Sequence, residues 1–161
     1  TQTKVDVLIA TLGKSFGING GYVVSSAKVI DYLIETAPFY IFSNPITAAE
    51  AAAALKSVEI VDSPEGIEKL KNLQKLSKRL RDGLIKTGFE TLQSEHPIVP
   101  ILIRDTERTA ALVKHLFKNA ILATGLNFPV VPKGEEEIRL QVSANHTEKD
   151  IDYLLQVLGK F

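Results

Sequence analysis

Apolar and polar positions alternate along the chain in patterns that change every ten to twenty residues. Val5–Ala10 (VDVLIA) is a short β-rich run, of a length that suits a buried strand. Thr11–Gly21 (TLGKSFGINGG) is glycine-rich and polar, which predicts a loop. Gly21–Ser25 predicts a second strand. Val29, Ile30, Leu33 and Ile34 then recur at helical spacing across Ala27–Thr36. Pro38 is expected to stop that helix, and Phe39–Asn44 (FYIFSN) to be extended, because Pro45 biases Asn44 away from helix. An alanine-rich helix is expected from about Thr47 to Val61. Ser63 followed by Pro64 marks a new N-cap and first helical position, opening a charged amphipathic helix that runs to Lys86 and ends at Gly88.

Beyond Gly88 the pattern shifts to strand, helix, strand, loop, strand, helix. Ile98–Ile103 (IVPILI) reads as a strand whose Pro100 suits an edge or a bulge. Thr106–Lys118 reads as a helix with Ala110, Leu112, Val113, Leu116 and Phe117 on its buried face. Ile121–Thr124 reads as a short strand, Asn127–Gly134 as a proline-bearing loop, and Glu137–Val142 as an alternating strand. Thr147 is placed to cap a last helix that reaches Leu158. The second half is thus a compact α/β or α+β unit. A boundary near Asp62 divides the chain into residues 1–62 and 63–161. The first segment offers two strands, too few for a stable sheet, so it is expected to belong to a larger sheet.

Composition narrows the function classes. The chain has 161 residues, of which 45% are apolar, enough for a packed core. Its 19 basic residues balance 19 acidic ones, so no electrostatic grip on nucleic acid or on an anionic membrane is indicated. No apolar run approaches a membrane span, no signal-peptide pattern opens the chain, and cysteine is absent, which suits a cytoplasmic protein. His96, His115 and His146 lack the spacing of a metal site. The chain has no methionine, even at its start, which suggests a piece of a longer protein.

The candidate chemistry lies in the loop Thr11-Leu12-Gly13-Lys14-Ser15-Phe16-Gly17. Glycines let a flat ligand approach the backbone. A lysine kept neutral by burial or by nearby positive charge is a nucleophile toward an aldehyde, and the Thr11 hydroxyl suits a phosphate oxygen. The loop lacks the helix start of a P-loop. A solvated surface lysine fits the same residues, and they leave the choice open.

Thr11–Gly20 (TLGKSFGING) resembles the cofactor-attachment signature of class II aminotransferases. Tyr40–Asn44 (YIFSN), Phe128–Gly134 (FPVVPKG) and Ile138–Thr147 (IRLQVSANHT) are similar, in order and spacing, to segments of the α-oxoamine synthases, in particular of the 2-amino-3-ketobutyrate coenzyme A ligase (glycine C-acetyltransferase) branch. The loop from Lys14 to Tyr22 is slightly shorter than is usual there.

The resemblance covers essentially the whole chain. It implies an α/β fold, the C-terminal part of a fold type I pyridoxal-phosphate-dependent transferase: the end of the large-domain sheet with its linking helix, then a small C-terminal domain. It implies pyridoxal 5'-phosphate as cofactor, held as a Schiff base on Lys14, with Thr11 on its phosphate. Ser43 and Asn44 would reach the phosphate of a partner subunit's cofactor, which implies a homodimer with shared active sites. Arg139 would bind the substrate carboxylate; pairing with Glu135, Glu136 or Glu137 is the plainer alternative. The implied reaction joins an amino acid, first of all glycine, to an acyl-coenzyme A, first of all acetyl. A longer-chain acyl donor is the near alternative, and a non-catalytic α/β dimerisation or binding module the more distant one. The family's aspartate on the pyridine nitrogen, its ring-stacking histidine and its glycine-rich phosphate turn have no counterpart here, so the chain alone is expected to be inactive.

Overall fold

In a computed structural model, which describes residues 5–161, the chain divides into two compact units, one reaching Gly66 and the other Ile67–Phe161. Each is described by itself.

In the first unit, β1 (Val7–Thr11) and β2 (Gly21–Ser25) form an antiparallel hairpin in which Leu8 faces Val24 and Thr11 faces Gly21. β1 begins and ends later than the apolar run suggested, because its register is set by pairing with β2. Helix α1 spans Ala27–Thr36, as its periodicity predicts. The extended segment expected next is instead a short helix, α2 (Pro38–Ile41). Pro38 does not merely stop α1. It sits at the first helical position of α2, where its missing N–H costs nothing and its fixed φ is already helical. Helix α3 (Ala48–Val61) is closed at its start by a capping box: Thr47 Oγ1 accepts from the Glu50 N–H at 3.2 Å, and Glu50 Oε2 accepts from the Thr47 N–H at 2.7 Å.

Leu8 and Ile9 point to opposite faces of the hairpin, and both are exposed, Ile9 at 72%. The large side chains of Phe39 (91%) and Phe42 (86%) are also exposed. This surface composition is that of strands and helices that suit coverage on both sides.

Helix α4 (Pro64–Lys86) starts as Ser63 predicts, with Ser63 Oγ accepting from the Gly66 N–H at 3.1 Å. It ends in a Schellman turn: Gly88 has φ +84°, Phe89 N–H donates to the Leu84 carbonyl, and Gly88 N–H donates to that of Ile85.

The second unit is two-layered. β3 (Ile98–Leu102), β5 (Glu137–Gln141) and β4 (Thr124–Leu126) form an antiparallel sheet in the order β3-β5-β4. β3 is an edge strand, where Pro100 costs no ladder bond. β4 lies three residues beyond the expected Ile121 start, because its pairing with β5 sets its place: Thr124 faces Arg139. Val99 and Ile101 lie opposite Leu140 and Ile138 and pack against Leu76, Leu80 and Leu84 of α4. The same core takes Leu112 and Leu116 from α5 (Thr106–Lys118) and Ile151, Val157 and Leu158 from α6 (Glu148–Leu158).

Two expected faces differ. On α5, Ala110 is exposed and Phe117 is 67% exposed, while Thr109 is buried. The stripe runs Thr109, Leu112, Leu116, and the Thr109 hydroxyl is satisfied by the Asp105 carbonyl at 2.7 Å. On α4, Arg81 leaves the solvated face. It is buried, and its Nη2 donates to the His96 carbonyl at 2.6 Å.

Candidate functional site

The lysine loop is shaped by backbone bonds before any ligand is considered. Leu12 is buried and pins the loop inward. Its N–H donates to the Gly20 carbonyl and its carbonyl accepts from the Ile18 N–H, both at 3.0 Å. Within that frame Gly17 N–H donates to the Lys14 carbonyl at 3.1 Å, closing a turn over Lys14–Gly17. Gly17 and Gly20 have φ of +67° and +96°, the left-handed region that favours glycine. A Cβ at Gly20 would also stand 2.5 Å from the Ile46 side chain, so the loop and the segment before α3 are in close contact. No helix starts directly after Lys14, which separates the loop from a phosphate-binding P-loop.

Helix α3 reaches the loop from the other side. Ser57 Oγ donates to the Phe16 carbonyl at 3.3 Å. The Glu50 carboxyl is held below its ordinary range by the Thr47 backbone N–H, then by the Thr47 hydroxyl, with a further bond from the Asn19 side chain. Sequence reading passed over Ser57, Glu50 and Asn19. The pattern Thr47-x-x-Glu50 is a legible capping box, but nothing in one sequence pairs Ser57 with Phe16.

Lys14 and Thr11 are both exposed. The amine of Lys14 has no hydrogen-bond or ion-pair partner among the described residues. The apolar burial anticipated for it is therefore not supplied within the first unit: Leu12 takes the inward position and Lys14 the outward one. The donor set still fits an aldehyde-bearing phosphate cofactor. A primary amine without a partner stands on a glycine-shaped turn, a hydroxyl lies three residues before it, and a Cβ built at Gly17 meets nothing within 4 Å.

The other expected residues are placed as follows. Ser43 follows α2, and its hydroxyl donates to the Phe39 carbonyl, a local turn bond. Asn44 is exposed, and no hydrogen bond joins Ser43 or Asn44 to the lysine loop. Arg139 lies on β5 in the second unit, opposite Pro100 and Thr124, with a half-exposed side chain. Its Nη2 donates to Glu137 Oε1 at 2.9 Å, so of the three glutamates considered it is Glu137 that pairs with it. His146 stays local, its Nδ1 accepting from the Ser143 N–H at 3.1 Å. A cleft of the second unit, lined by Leu80, Leu122, Leu140, His146 and Tyr153 among others, does not include Arg139. Among the described residues no helix is long and apolar enough to cross a membrane.

The family model for aminotransferase class I and II matches residues 1–158. The 8-amino-7-oxononanoate synthase of Thermosipho melanesiensis is 38% identical over 98% of this chain and 40% of its own length. That of Marinobacter nauticus is 41% identical over 99% of this chain and 40% of its own. The chain thus spans about two fifths of the length of these curated relatives. A high-resolution structure of SPT with its PLP internal aldimine superposes with a TM-score of 0.89 at 25% identity, covering 97% of this chain and 39% of that one. The fold is that of the matching part of a fold type I transferase. The relatives are α-oxoamine synthases, as the four segments implied, but they carry the oxononanoate synthase name and not that of the glycine C-acetyltransferase branch. From residue 1 to residue 158, the chain belongs to the class I and II aminotransferase family.

Proposed function

We propose that the protein to which this chain belongs is a pyridoxal-phosphate-dependent α-oxoamine synthase, joining an amino acid to the acyl group of an acyl-coenzyme A. The observation that carries the reading is the Lys14 amine, unpartnered among the described residues, on a loop that two left-handed glycines and the buried Leu12 hold in place. When bound, the cofactor supplies an electron sink for a carbanion at the amino-acid α-carbon. The chain's own residues do the rest. Lys14 anchors the cofactor aldehyde and moves the α-proton. Thr11 donates its hydroxyl to the cofactor phosphate. Arg139 orients the substrate through its carboxylate, for which a planar guanidinium fork is suited. Ser43 and Asn44 approach the phosphate of a second subunit, so the protein acts as a homodimer. The domain division at residues 62 and 63 then separates the cofactor-anchoring segment from the domain that carries Arg139. The exposed apolar faces of the hairpin and of α2 support a place within a larger sheet and its covering layers.

The acyl donor is longer than acetyl. The relatives' name describes a product chain that acetyl transfer to an amino acid could not make. The glycine and acetyl-coenzyme A pair remains the second reading, carried by the similarity of Tyr40–Asn44 and Ile138–Thr147 to the ligase segments. A matrix of amino acids against acyl-coenzyme A donors of increasing chain length, read as thiol release by the intact protein, tests both. Release with long donors and not with acetyl-coenzyme A supports the lead reading. Release confined to acetyl-coenzyme A with glycine transfers the assignment to the second. No release with any pair removes the synthase reading.

A further inference from the structure

A serine inside a helix usually turns its hydroxyl out to solvent or back to the carbonyl four residues earlier. Ser57 does not. It lies in the second half of α3, past the alanine-rich stretch and half-buried, and its Oγ donates to the carbonyl of Phe16, 41 residues away in sequence. Phe16 is the third residue of the turn closed by Gly17 N–H on the Lys14 carbonyl. Two further contacts join the same pair of segments. The Asn19 side chain, at the far side of the loop, helps hold down the carboxyl of Glu50 on the first turn of α3. Ile46, just before the cap of α3, closes on Gly20 so tightly that no Cβ fits between them. Ile46 and Ser57 thus contact the loop at its far end and beside the turn of Lys14.

We propose that α3 is the holder of the lysine loop, and that Ser57 is a positioning residue that fixes the turn from which the Lys14 amine projects. Ile46, packed on Gly20, holds the remaining half of the loop. The inference rests on the reading of Lys14 as the cofactor-anchoring lysine. Ser57 touches neither cofactor nor substrate and acts only through the Phe16 carbonyl.

The test uses the intact protein carrying Ser57→Ala, Ser57→Thr as the conservative rescue, and Ser63→Ala as a control that weakens a helix start away from the loop. Amide hydrogen exchange of the cofactor-free protein is followed at Gly17 and Ile18. The rate at which added pyridoxal phosphate becomes borohydride-fixed to Lys14 is measured alongside. Ser57→Ala is expected to speed exchange at both amides roughly 2- to 10-fold, the range one lost neutral hydrogen bond gives, and to slow fixation on Lys14 by a similar factor. Ser57→Thr is expected to restore both and Ser63→Ala to change neither. Unchanged loop exchange in Ser57→Ala, or fixation equal in all variants, overturns the positioning role while leaving Lys14 in place. If Lys14 of the unmodified protein takes no label, the cofactor reading itself fails, and the positioning role fails with it.

Discussion

Arg139 donates from Nη2 to Glu137 Oε1 at 2.9 Å, two positions back on the same face of β5. The pair leaves the other nitrogens of the guanidinium unengaged by any other side chain of the described residues. Glu137 therefore competes for the group that the proposed function gives to the substrate carboxylate. Arg139→Gln is expected to raise KM for the amino acid roughly 10- to 100-fold, the worth of a charge-assisted hydrogen bond. Glu137→Gln is expected to lower it by up to about 5-fold, since an ion pair with a half-exposed arginine contributes little. Steady-state kinetics at saturating acyl-coenzyme A give both values. An unchanged KM in Arg139→Gln takes the carboxylate role away from Arg139.

Gly83 lies on α4 where a Cβ would stand 2.3 Å and 2.8 Å from the two δ-carbons of Leu155 and 3.1 Å from its Cγ. Alanine there gains about 1 kcal/mol of helix propensity but incurs about 1–3 kcal/mol of overpacking. The packing term is the larger, so Gly83→Ala is expected to lower stability in urea by up to about 2 kcal/mol. In a Leu155→Ala background the same change is expected to stabilise by about 0.5–1 kcal/mol, because only the propensity remains. Stabilisation of both backgrounds by equal amounts contradicts the close contact.

Glu136 is buried, yet its carboxyl is held below the ordinary glutamate range. Its own backbone N–H is the largest cause, with the Thr106 hydroxyl and the Gly134 N–H adding to it against the opposing effect of burial. A folded-state pKa below the unfolded one contributes stability that is present above the unfolded value and lost as pH falls through the folded value. The melting temperature of the unmodified protein is therefore expected to exceed that of Glu136→Gln at neutral pH. The gap is expected to close as pH drops below the ordinary glutamate range. A gap that is constant with pH, or that widens in acid, shows that the charge of Glu136 is not what these donors stabilise.

Local signals were well marked in the sequence. The Ser63-Pro64 start, the Gly88 stop and the Thr147 cap each rest on one or two residues whose chemistry is self-sufficient, and the structure places them as read. The alternation of Glu137–Gln141 also survives, with Ile138 and Leu140 inward. What the sequence hid depends on distant partners. β4 is shifted because β5 sets its register, Phe117 is outward because Thr109 leads the buried stripe, and Arg81 is inward because the His96 carbonyl awaits it. The lysine loop was legible through its glycines, while its attachment to α3 was not, since Ser57 and Phe16 are remote in sequence.

The central claim is one covalent attachment, and it can be read directly. The intact protein, loaded with pyridoxal phosphate, is reduced with borohydride, digested, and the modified peptide is sequenced by mass spectrometry. The account predicts a single labelled site at Lys14, and no label in Lys14→Arg. A label on another lysine, or none on a protein that nonetheless turns over, would contradict it.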